Sequence, residues 1–423
     1  TASSEPMPVL YAIAVGVCHA AARVAALWNR KARAWVQGRK GLWQRLEARQ
    51  AELQGCLWLH AASVGEFEQG LPVLEAIKAA RPELPVLLTF YSPSGYEARK
   101  GLATGRPDGL VTHVEYLPPD SAANAHRLVA LLRPRAVLWV KYEFWYHHLH
   151  ALKAAQVPTF LVSGIFRPSQ PFFRWFGGAW RSMLGCFAHL FVQNEASRDL
   201  LSGIGVREVT LSGDTRFDRV AGILRANEGL AVAKAFRSTT SAPVLICGST
   251  WPADERIILE ALKRLKAPPR IMIAPHEVTE QQLSSIAARF PPPVITWSSS
   301  AGARGNTLLM DVTGVLARAY RYGDIAYIGG GFGDGIHSLL EAAVWGRPVI
   351  FGPKHTKFAE AQGLIDAGGG FVVRNAGDLR DVLARLLDEP AVLARSQEAA
   401  RRYVQERVGA TAVIAGAVVN ALR

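Results

Sequence analysis

The apolar positions of the chain form short runs that alternate with longer stretches of helical spacing. In the first half, runs typical of buried strands cover residues 56–61, 85–89, 136–140, 159–162, 190–193 and 209–214. In the second half, they cover residues 244–248, 270–274, 294–297, 307–311, 325–329, 348–351 and 370–373. Helical patterns lie between them, for example at residues 122–132, 146–155, 254–265, 280–288, 315–320, 339–345 and 359–367. This alternation predicts βαβ units, in which parallel strands form a sheet with helices on both faces.

The length of the chain predicts two domains. A single hydrophobic core does not extend over 423 residues. The strand–helix pattern restarts after a polar, arginine-containing segment at residues 220–240. We therefore predict an α/β protein with two Rossmann-like domains facing a cleft, at residues 41–220 and 221–423. The helical tail at residues 393–422 is expected to pack back onto the first half.

The N-terminal segment combines apolar and basic residues. Residues 8–27 are nearly all apolar but rich in alanine, which is weak for a spanning helix of about 20 strongly apolar residues. Cations and tryptophans follow, at Arg30, Lys31, Arg33, Arg39, Lys40, Trp28, Trp35 and Trp43. This combination predicts that residues 1–40 anchor the chain to the cytoplasmic face of the inner membrane, as a monotopic or single N-terminal anchor. A signal sequence and a helix buried in the fold are the alternatives.

The net charge of +13 predicts an acidic partner, which is a nucleic acid, an anionic phosphosugar or a membrane surface. The four cysteines lie far apart without a CxxC spacing. We therefore expect neither a zinc site nor a disulfide framework, and a reducing cytoplasmic setting. His147, His148 and His150 have no matching carboxylate cluster, so we interpret them as helix surface rather than as a metal site.

The turn after the first predicted strand, Ser63-Val64-Gly65-Glu66, has two interpretations. Such a turn lies at the carboxyl end of a parallel strand, where ligands bind. Ser63 and Glu66 have the spacing of a capping box, which is a structural role. Glycine in a first helical turn costs about 1 kcal/mol relative to alanine, so Gly65 favours a position that a ligand approaches. Glu66 is therefore a candidate general base as well as a candidate cap.

The second half contains a glycine-rich turn at residues 329–335. A helix is predicted to open at Ser338, with Glu341 three residues later. Backbone N–H groups and the positive helix end suit a phosphate, and Glu341 is placed to accept hydrogen bonds from a ribose. The alternative is a flexible loop followed by a second capping box. The sequence is not GxGxxG with a later acid, which disfavours a nicotinamide cofactor, and there is no Walker motif.

Three other strand-to-helix loops, at residues 248–255, 274–277 and 311–316, belong to the same half. Together the four loops outline a nucleotide pocket along the carboxyl edge of the predicted sheet. The candidate nucleotide-binding residues are Ser249, Thr250, Pro275, His276, Gly314, Val315, Leu316, Gly330, Gly331, Ser338, Leu339, Leu340 and Glu341. A lone histidine is usually structural, so His276 by itself carries little weight.

Two charged residues of the first half are further candidates. Glu143 ends a strand between aromatic residues, and a poorly solvated carboxyl there has a raised pKa unless Lys141 or a ligand pairs with it. Arg216 lies near the predicted domain junction, where a cation can neutralise charge on a departing phosphate. An interdomain salt bridge is the alternative for both.

Residues 166–176 interleave cations with aromatic side chains. On an RNA-binding protein this pattern indicates base stacking. Beside a membrane anchor it fits a phosphorylated lipid or the bilayer surface, and packing of the aromatics in the core is the third interpretation.

Several motifs in this order resemble the 3-deoxy-D-manno-octulosonic acid (Kdo) transferase family. The matching segments are HAASVGEFEQGLPVL, YLPPDSAANAHRLVALLRPRAVLWVKYEFW, FVQNEASRDLLSGIGV, GDTRFD, GSTWPADE, GDIAYIGGGFGDGIHSLLEAAVWGRPVIFGP and FAEA. The resemblance implies a GT-B fold and an inverting, metal-independent transfer of Kdo from CMP-Kdo to a lipid A precursor. It implies no cofactor and no nucleic-acid partner, and places the enzyme on the inner membrane surface.

The resemblance also implies residue roles. Glu66 matches the general base in the SVGE motif, Glu143 falls in a block that supports the transition state, and Arg216 matches a basic residue that stabilises the departing CMP. Residues 314–316 and 338–341 match the CMP-binding loops. The chain departs from the family motifs in three places, where it has APHE without the usual arginine, KYEFW with Lys141 replacing a carboxylate, and GIHSLLE with Ser338 replacing asparagine.

Two other classes of function are compatible with the same residues. The first is another GT-B enzyme that uses a UDP-sugar, either a transferase or a UDP-GlcNAc 2-epimerase. The second is a non-catalytic basic protein that binds a membrane or RNA, for which strong salt-dependent binding is expected.

Overall fold

A computed structural model describes residues 7–103, 109–299 and 305–423. The chain forms two compact units, of which the first contains Thr1–Arg219 and Val408–Arg423 and the second contains Val220–Arg407. Each unit contains one parallel sheet of seven strands. The predicted α/β class is confirmed.

The sheet of the first unit has the strand order β3-β2-β1-β4-β5-β6-β7. Its strands are β1 (Leu57–Ala61), β2 (Val86–Phe90), β3 (His113–Tyr116), β4 (Ala136–Val140), β5 (Thr159–Gly164), β6 (His189–Val192) and β7 (Val209–Leu211). Leu59 in β1 lies opposite Leu88 in β2 and Leu138 in β4. Every residue of β1 and β4 is buried, because helices cover both faces of a parallel sheet.

The sheet of the second unit has the order β10-β11-β9-β8-β12-β13-β14. Its strands are β8 (Val244–Thr250), β9 (Arg270–Pro275), β10 (Val294–Thr296), β11 (Thr307–Leu309), β12 (Ile325–Ile328), β13 (Val349–Phe351) and β14 (Gly370–Val372). All of these strands lie where the apolar runs predicted them, within a few residues at each end.

Helices connect the strands of both units. Those up to and across the unit boundary are α1 (Met7–Ala25), α2 (Arg30–Gly38), α3 (Leu42–Ala48), α4 (Gln50–Leu53), α5 (Val64–Ala80), α6 (Pro93–Arg99), α7 (Ala122–Leu132), α8 (Tyr146–Ala154), α9 (Gly178–Leu184), α10 (Glu195–Gly203) and α11 (Thr215–Ala226). Those after it are α12 (Ala231–Ser238), α13 (Pro252–Leu262), α14 (Glu280–Arg289), α15 (Leu316–Ala319), α16 (Leu340–Ala343), α17 (Ala359–Ala367), α18 (Ala376–Asp388), α19 (Pro390–Gln405) and α20 (Ala410–Ala421). The segment 220–240 is therefore largely helical.

Strand β3 was not predicted, because polar residues interrupt its pattern. Glu115 in this strand is completely buried. It accepts hydrogen bonds from Nε and Nη2 of Arg45 at 2.7 and 2.8 Å. The pairing compensates the buried carboxylate, which allows a charged residue inside a sheet.

The last helix, α20, completes the core of the first unit. It packs against α5. Its buried residues Ile414, Ala415 and Val418 join the cluster of apolar side chains that contains β1 and β2. Asp218 fixes the start of this segment, because its carboxylate accepts the backbone N–H groups of Gly409 and Thr411 at 2.9 and 3.2 Å.

Helix α1 lies on the first unit. The hydroxyl of Tyr11 donates a hydrogen bond to Asp120 at 2.6 Å. On another face of the helix, Ile13, Val17 and Val24 are exposed to solvent. In the described part of the chain, no single helix combines the length and apolarity needed to cross a membrane, and one pair of helices, Tyr11–Ala25 and Arg30–Ala48, meets both conditions jointly with a bend of 115°.

Candidate active site

The turn after β1 forms the predicted capping box at the start of α5. Ser63 is the N-cap residue, with φ −140° and ψ 170°. Its backbone N–H donates to Oε2 of Glu66 at 3.0 Å, and its Oγ atom accepts the backbone N–H of Glu66 at 3.4 Å. A side chain added at Gly65 would meet Ser63 Oγ at 4.0 Å as its nearest contact, so open space adjoins this residue. The structural interpretation of the motif is confirmed.

The surroundings of Glu66 raise the pKa of its carboxyl group. Burial raises its pKa, and the negative charge of Glu143 raises the pKa further. The backbone of Ala62, His60 and Lys141 act in the opposite direction and leave the pKa raised. A raised pKa makes a carboxylate a stronger base, which is what proton abstraction near neutral pH requires.

The topology brings Glu66 and Glu143 together. Strands β1 and β4 are direct neighbours in the parallel sheet. Glu66 lies after β1 and Glu143 lies after β4, so both reach the same carboxyl edge of the sheet. The Glu143 side chain is only 19% exposed. Its Oε2 atom accepts a hydrogen bond from Trp145 Nε1 at 2.7 Å, and its backbone oxygen accepts the indole N–H of Trp139.

Lys141, which replaces the first carboxylate of the family motif, has left-handed backbone geometry with φ 61°. A non-glycine residue in this region is strained, and such strain collects at functional sites. The charge of Lys141 lowers the pKa of Glu66, after the larger effects of burial and Glu143.

His60 is a member of this cluster that the sequence interpretation missed. Its ring is completely buried at the end of β1. Its Nδ1 atom lies 3.0 Å from Thr89 Oγ1, and its Nε2 atom lies 3.8 Å from Oε2 of Glu143. A signal was present in the sequence, since His60 is a basic residue near the end of an otherwise apolar strand.

Arg216 lies in the first turn of α11 and pairs locally. Its Nε and Nη2 atoms bond to Oδ2 of Asp214 at 2.8 and 2.7 Å. The preceding residue, Thr215, donates a hydrogen bond to the Gln69 carbonyl of α5 at 2.7 Å. Arg216 is therefore fixed beside the helix that carries Glu66. Its pairing with Asp214 joins two residues of the first unit.

In the second unit, three aromatic rings stack at the carboxyl ends of neighbouring strands. His276 lies 4.5 Å from Trp251 with an interplanar angle of 25°, and 4.5 Å from His337 with an angle of 23°. The indole Nε1 of Trp251 donates to Nε2 of His337 at 3.3 Å. Burial lowers the pKa of His337, and His276 lowers it further. Sequence reasoning missed His337, and His276 is part of a cluster rather than an isolated histidine.

The loop after β8 contains Ser249 and Thr250. Ser249 has left-handed geometry with φ 51°. The Thr250 hydroxyl donates to Glu255 at 3.4 Å, so its side chain is held toward α13. Pro275 at the end of β9 lies opposite Thr250 in the sheet. The predicted residues of these two loops are thus direct neighbours.

Close contacts with neighbouring backbone explain why the turn after β12 is rich in glycine. A Cβ atom on Gly329 would lie 2.2 Å from the Ser249 carbonyl oxygen, and one on Gly331 would lie 2.6 Å from Gly352. Gly330 has φ 92°, and its N–H donates to Asp254 at 2.9 Å. The turn is therefore fixed by contacts and is not a flexible loop.

The prediction of a helix opening at Ser338 is wrong. Helix α16 spans only Leu340–Ala343, and its N-cap residue is Leu339, without a side-chain capping bond. The second capping box, between Ser338 and Glu341, is therefore not formed. Glu341 lies in the first turn of this short helix, close enough to Tyr320 to raise the pKa of that phenol, after the larger effect of burial.

The loop before α15 places Gly314 at φ 80°, with no atom of the described residues within 4 Å of an added Cβ. Val315 is the N-cap residue of α15, again without a side-chain bond. Leu316 packs beneath the end of β8, since a Cβ on Gly248 would lie 3.1 Å from its side chain. The structure thus brings loops after β8, β9 and β12 and the start of α15 to one edge of the second sheet.

The histidines of α8 are not all at the helix surface, contrary to our interpretation. His148 is completely buried, with Nε2 3.0 Å from the Pro118 carbonyl oxygen. His150 Nδ1 lies 2.8 Å from the Tyr146 carbonyl oxygen. In residues 7–103, 109–299 and 305–423, no group of three or more His, Cys, Asp or Glu residues has the arrangement of a metal site.

Comparison with known proteins identifies the relatives of the chain. Residues 36–219 match the family model described as 3-Deoxy-D-manno-octulosonic-acid transferase (kdotransferase). A 3-deoxy-D-manno-octulosonic acid transferase from Bordetella pertussis is 30% identical over 91% of this chain and 92% of its own length. Among solved structures, UDP-GlcNAc 2-epimerase from Neisseria meningitidis is 16% identical with a TM-score of 0.59, over 86% of this chain and 99% of that one. MurG from Acinetobacter baumannii is 14% identical with a TM-score of 0.55, over the same 86% and 99%. At such identities the two structures show a shared GT-B fold and no more.

Proposed function

The chain belongs to the Kdo transferase family, and from this premise we propose that it moves Kdo from CMP-Kdo to a lipid A precursor with Glu66 as the general base. Membership of the family makes it a glycosyltransferase of lipopolysaccharide synthesis. The donor, the acceptor and the base are the proposed part.

One observation carries the assignment of the base. Glu66 is half-buried at the carboxyl edge of the first sheet, and burial and the charge of Glu143 raise its pKa. Ser63 holds one carboxylate oxygen through its N–H, so the second oxygen is the one that would accept a proton. Open space beside Gly65 leaves room for an acceptor sugar.

The proposed reaction is a single displacement. The acceptor hydroxyl gives its proton to Glu66 while its oxygen forms a bond to the anomeric carbon of Kdo. The bond between that carbon and the CMP phosphate oxygen breaks, and CMP leaves with the electron pair. Attack opposite the leaving group inverts the anomeric centre. Proton removal by a positioned base accounts for about 10²–10⁴-fold of the rate in such reactions.

The donor is proposed to bind at the edge of the second sheet that carries Ser249, Thr250, Pro275, His276 and the residues of the glycine-rich turn. The stacked rings of Trp251, His276 and His337 support this location, since flat aromatic surfaces suit a nucleotide base. Arg216 is proposed to stabilise the charge that develops on CMP, with Asp214 fixing the orientation of its guanidinium. We further propose that the reaction requires no metal ion and no cofactor.

The enzyme is proposed to act at the cytoplasmic face of the inner membrane. The exposed apolar residues of α1 support this location, as do Trp175 and Phe176, which are 92% and 54% exposed. Phe166 and Phe172, from the same aromatic segment, are buried, so only its later part is available to a membrane. Nucleic acid is not expected as a partner.

The test measures CMP release from CMP-Kdo in the presence of a lipid A precursor in detergent micelles. We expect release that depends on both substrates and is unaffected by a metal chelator. Thermal stabilisation by CMP but not by UDP is expected in parallel. Stabilisation by UDP alone, with no CMP release, would contradict the proposal and favour an enzyme that uses a UDP-sugar.

A further inference from the structure

Asp254 lies in the interior of the second unit, at the start of α13, and is only 1% exposed. Its carboxylate accepts hydrogen bonds from the backbone N–H of Trp251, the backbone N–H of Gly330 and the hydroxyl of Tyr327, each at 2.9 Å. It takes no part in the proposed transfer chemistry. A carboxylate is fully buried only where specific partners compensate it, so these contacts indicate what Asp254 does.

The two oxygens of the Asp254 carboxylate have different partners. Oδ2 accepts both backbone N–H groups, that of Trp251 in the loop after β8 and that of Gly330 in the turn after β12. Oδ1 accepts the hydroxyl of Tyr327, which lies in β12 itself. Burial raises the pKa of Tyr327, and the charge of Asp254 raises it further, so the phenol keeps its proton and donates it. A single oxygen atom therefore joins two loops at the carboxyl edge of the second sheet.

The charge of Asp254 is compensated by neutral donors and by a helix. The two backbone N–H groups and the phenol are all uncharged. Asp254 is the third residue of α13, where the positive end of the helix dipole favours a carboxylate. Hydrogen bonds to an ionised acceptor are roughly twice as strong as those between neutral groups. Asp254 therefore holds the two loops more firmly than a contact between backbone groups would.

The glycine-rich turn depends on such contacts for its path. Glycine has no side chain that could pack, and its backbone is freer than that of any other residue. The Gly329 N–H donates to the Gly248 carbonyl at 2.9 Å, and the Gly330 N–H donates to Asp254. Without the carboxylate, Gly330 would lose its acceptor while in left-handed geometry at φ 92°. Asp254 thus supplies a side-chain contact that fixes the turn.

Asp254 also determines where the ring stack lies. Trp251 is the N-cap residue of α13, and its backbone is held by Asp254. Its indole stacks on His276 at 4.5 Å and donates to Nε2 of His337 at 3.3 Å. His337 follows the glycine-rich turn, and its backbone N–H donates to the Gly329 carbonyl at 3.3 Å. The rings of Trp251 and His337 therefore belong to the two loops that Asp254 joins.

We propose that Asp254 is a positioning residue for the sugar nucleotide, which acts through Trp251 and the glycine-rich turn without touching the ligand. This inference rests on the donor site proposed above. If the turn and the indole are not held in place, part of the binding free energy is used to order them, and the affinity for the nucleotide falls. The proposed base, Glu66, belongs to the other unit and is unaffected. Loss of Asp254 should therefore raise the KM for the donor and preserve kcat.

The experiment compares Asp254→Ala with Asp254→Asn in the full chain. Alanine removes both oxygens. Asparagine keeps one oxygen that can accept both N–H groups from the position of Oδ2, and its amide can donate to the Tyr327 oxygen. The matched control is Asp378→Ala, because Asp378 is also the third residue of a helix in the second unit, α18, and accepts the backbone N–H of Arg374 at 2.9 Å. Isothermal titration calorimetry measures CMP binding, and CMP release gives kcat and the KM values for CMP-Kdo and the lipid A precursor.

We expect Asp254→Ala to weaken CMP binding and to raise the KM for CMP-Kdo by about tenfold or more, because it removes charge-assisted hydrogen bonds. In this variant kcat and the KM for the acceptor should stay within about threefold of the wild-type values. Asp254→Asn and Asp378→Ala should stay within about threefold in every measurement. A fall in kcat without a change in the donor KM would overturn the proposal, as would equal losses in Asp254→Ala and Asp378→Ala.

If Asp254→Ala does not fold, Asp254→Ser replaces it, because a hydroxyl is too short to bond to both N–H groups but can satisfy one of them. The positioning role and the proposed function can fail separately. Binding of UDP and not of CMP would contradict the proposed donor, and the ratio of wild-type to variant affinity for UDP would then decide the positioning role. Equal CMP binding by the wild type and Asp254→Ala would overturn the positioning role and leave the proposed transfer intact.

Discussion

The buried ring of His60 directs its Nε2 atom at Glu143, with 3.8 Å between Nε2 and the carboxylate Oε2. The Thr89 oxygen accepts the Trp58 indole N–H at 2.8 Å and lies 3.0 Å from His60 Nδ1. Within the described residues, His60 Nε2 has no hydrogen-bond partner. His60 connects the interior of the sheet to the carboxylate pair.

Substitution of His60 by asparagine is expected to move the acid limb of the pH–rate profile to higher pH. Asparagine keeps a polar atom near the position of Nδ1 for Thr89 but removes Nε2. Since His60 lowers the pKa of Glu66, its loss raises that pKa, and a higher pH is needed to form the carboxylate base. The measurement is kcat/KM for CMP release as a function of pH. His126→Asn, on the exposed face of α7, is the control, and an unmoved limb in His60→Asn would refute the coupling.

Substitution of Glu143 by glutamine is expected to shift the same limb in the opposite direction. The negative charge of Glu143 raises the pKa of Glu66, so its removal lowers that pKa and the base forms at lower pH. Glutamine can still accept the Trp145 N–H. Glu68→Gln is the matched control, because it removes a carboxylate from the same helix as Glu66 that pairs with Arg99 and Arg219. A shift of equal size in both variants would mean that net charge, rather than the Glu143 contact, sets the limb.

Substitutions of Glu66 and Ser63 are expected to distinguish the catalytic role of the turn from its role in capping α5. Glu66→Gln keeps an oxygen that can accept the Ser63 N–H but cannot take a proton, so a loss of about 10²–10⁴-fold in kcat is expected with little change in melting temperature. Ser63→Ala removes the capping oxygen, at a cost of about 1 kcal/mol in the free energy of unfolding, while activity stays within about tenfold. Both are measured by CMP release and thermal unfolding. A folded Glu66→Gln protein that transfers Kdo at the wild-type rate would end the assignment of Glu66 as the base.

The exposed apolar stripe of α1, formed by Ile13, Val17 and Val24, is expected to control membrane association. Replacement of Ile13, Val17 and Val24 by glutamine removes apolar area that would be buried in a bilayer, at about 25 cal/mol per Å². We expect co-sedimentation with phosphatidylcholine–phosphatidylglycerol vesicles to fall by about tenfold or more. The control is L211Q/V413Q, which alters exposed apolar residues outside α1. Equal losses in the two variants would show that general surface hydrophobicity, not the stripe, is responsible.

The sequence predicts the sheets well because buried parallel strands are continuous apolar runs. Strands β1 and β4 are completely buried, and both lie where apolar runs predicted them. Strand β3 was not predicted, because its buried Glu115 is compensated by pairing with Arg45, a residue 70 positions away. Such a pairing is set by tertiary structure, which local pattern does not contain.

Part of the candidate site is predictable for the same reason. Glu66 and Glu143 each follow an apolar run, and the neighbouring order of their strands then brings them together. The contributions of His60 and His337 depend on which rings they meet, so spacing along the chain does not reveal them. The helix predicted at Ser338 fails because close backbone contacts of the glycines, rather than a capping side chain, determine the path of the chain.

Because of the position of α20, the first unit is synthesised first but cannot complete its core until the second unit has been synthesised. The side chains of α20 belong to the core of the first unit, yet the ribosome makes them only after the whole of Val220–Arg407. At about 5–20 residues per second, the apolar face of α5 that receives α20 stays uncovered for on the order of 10–40 s during translation. The second unit is contiguous in sequence, so we expect it to reach its native state before the first unit is complete.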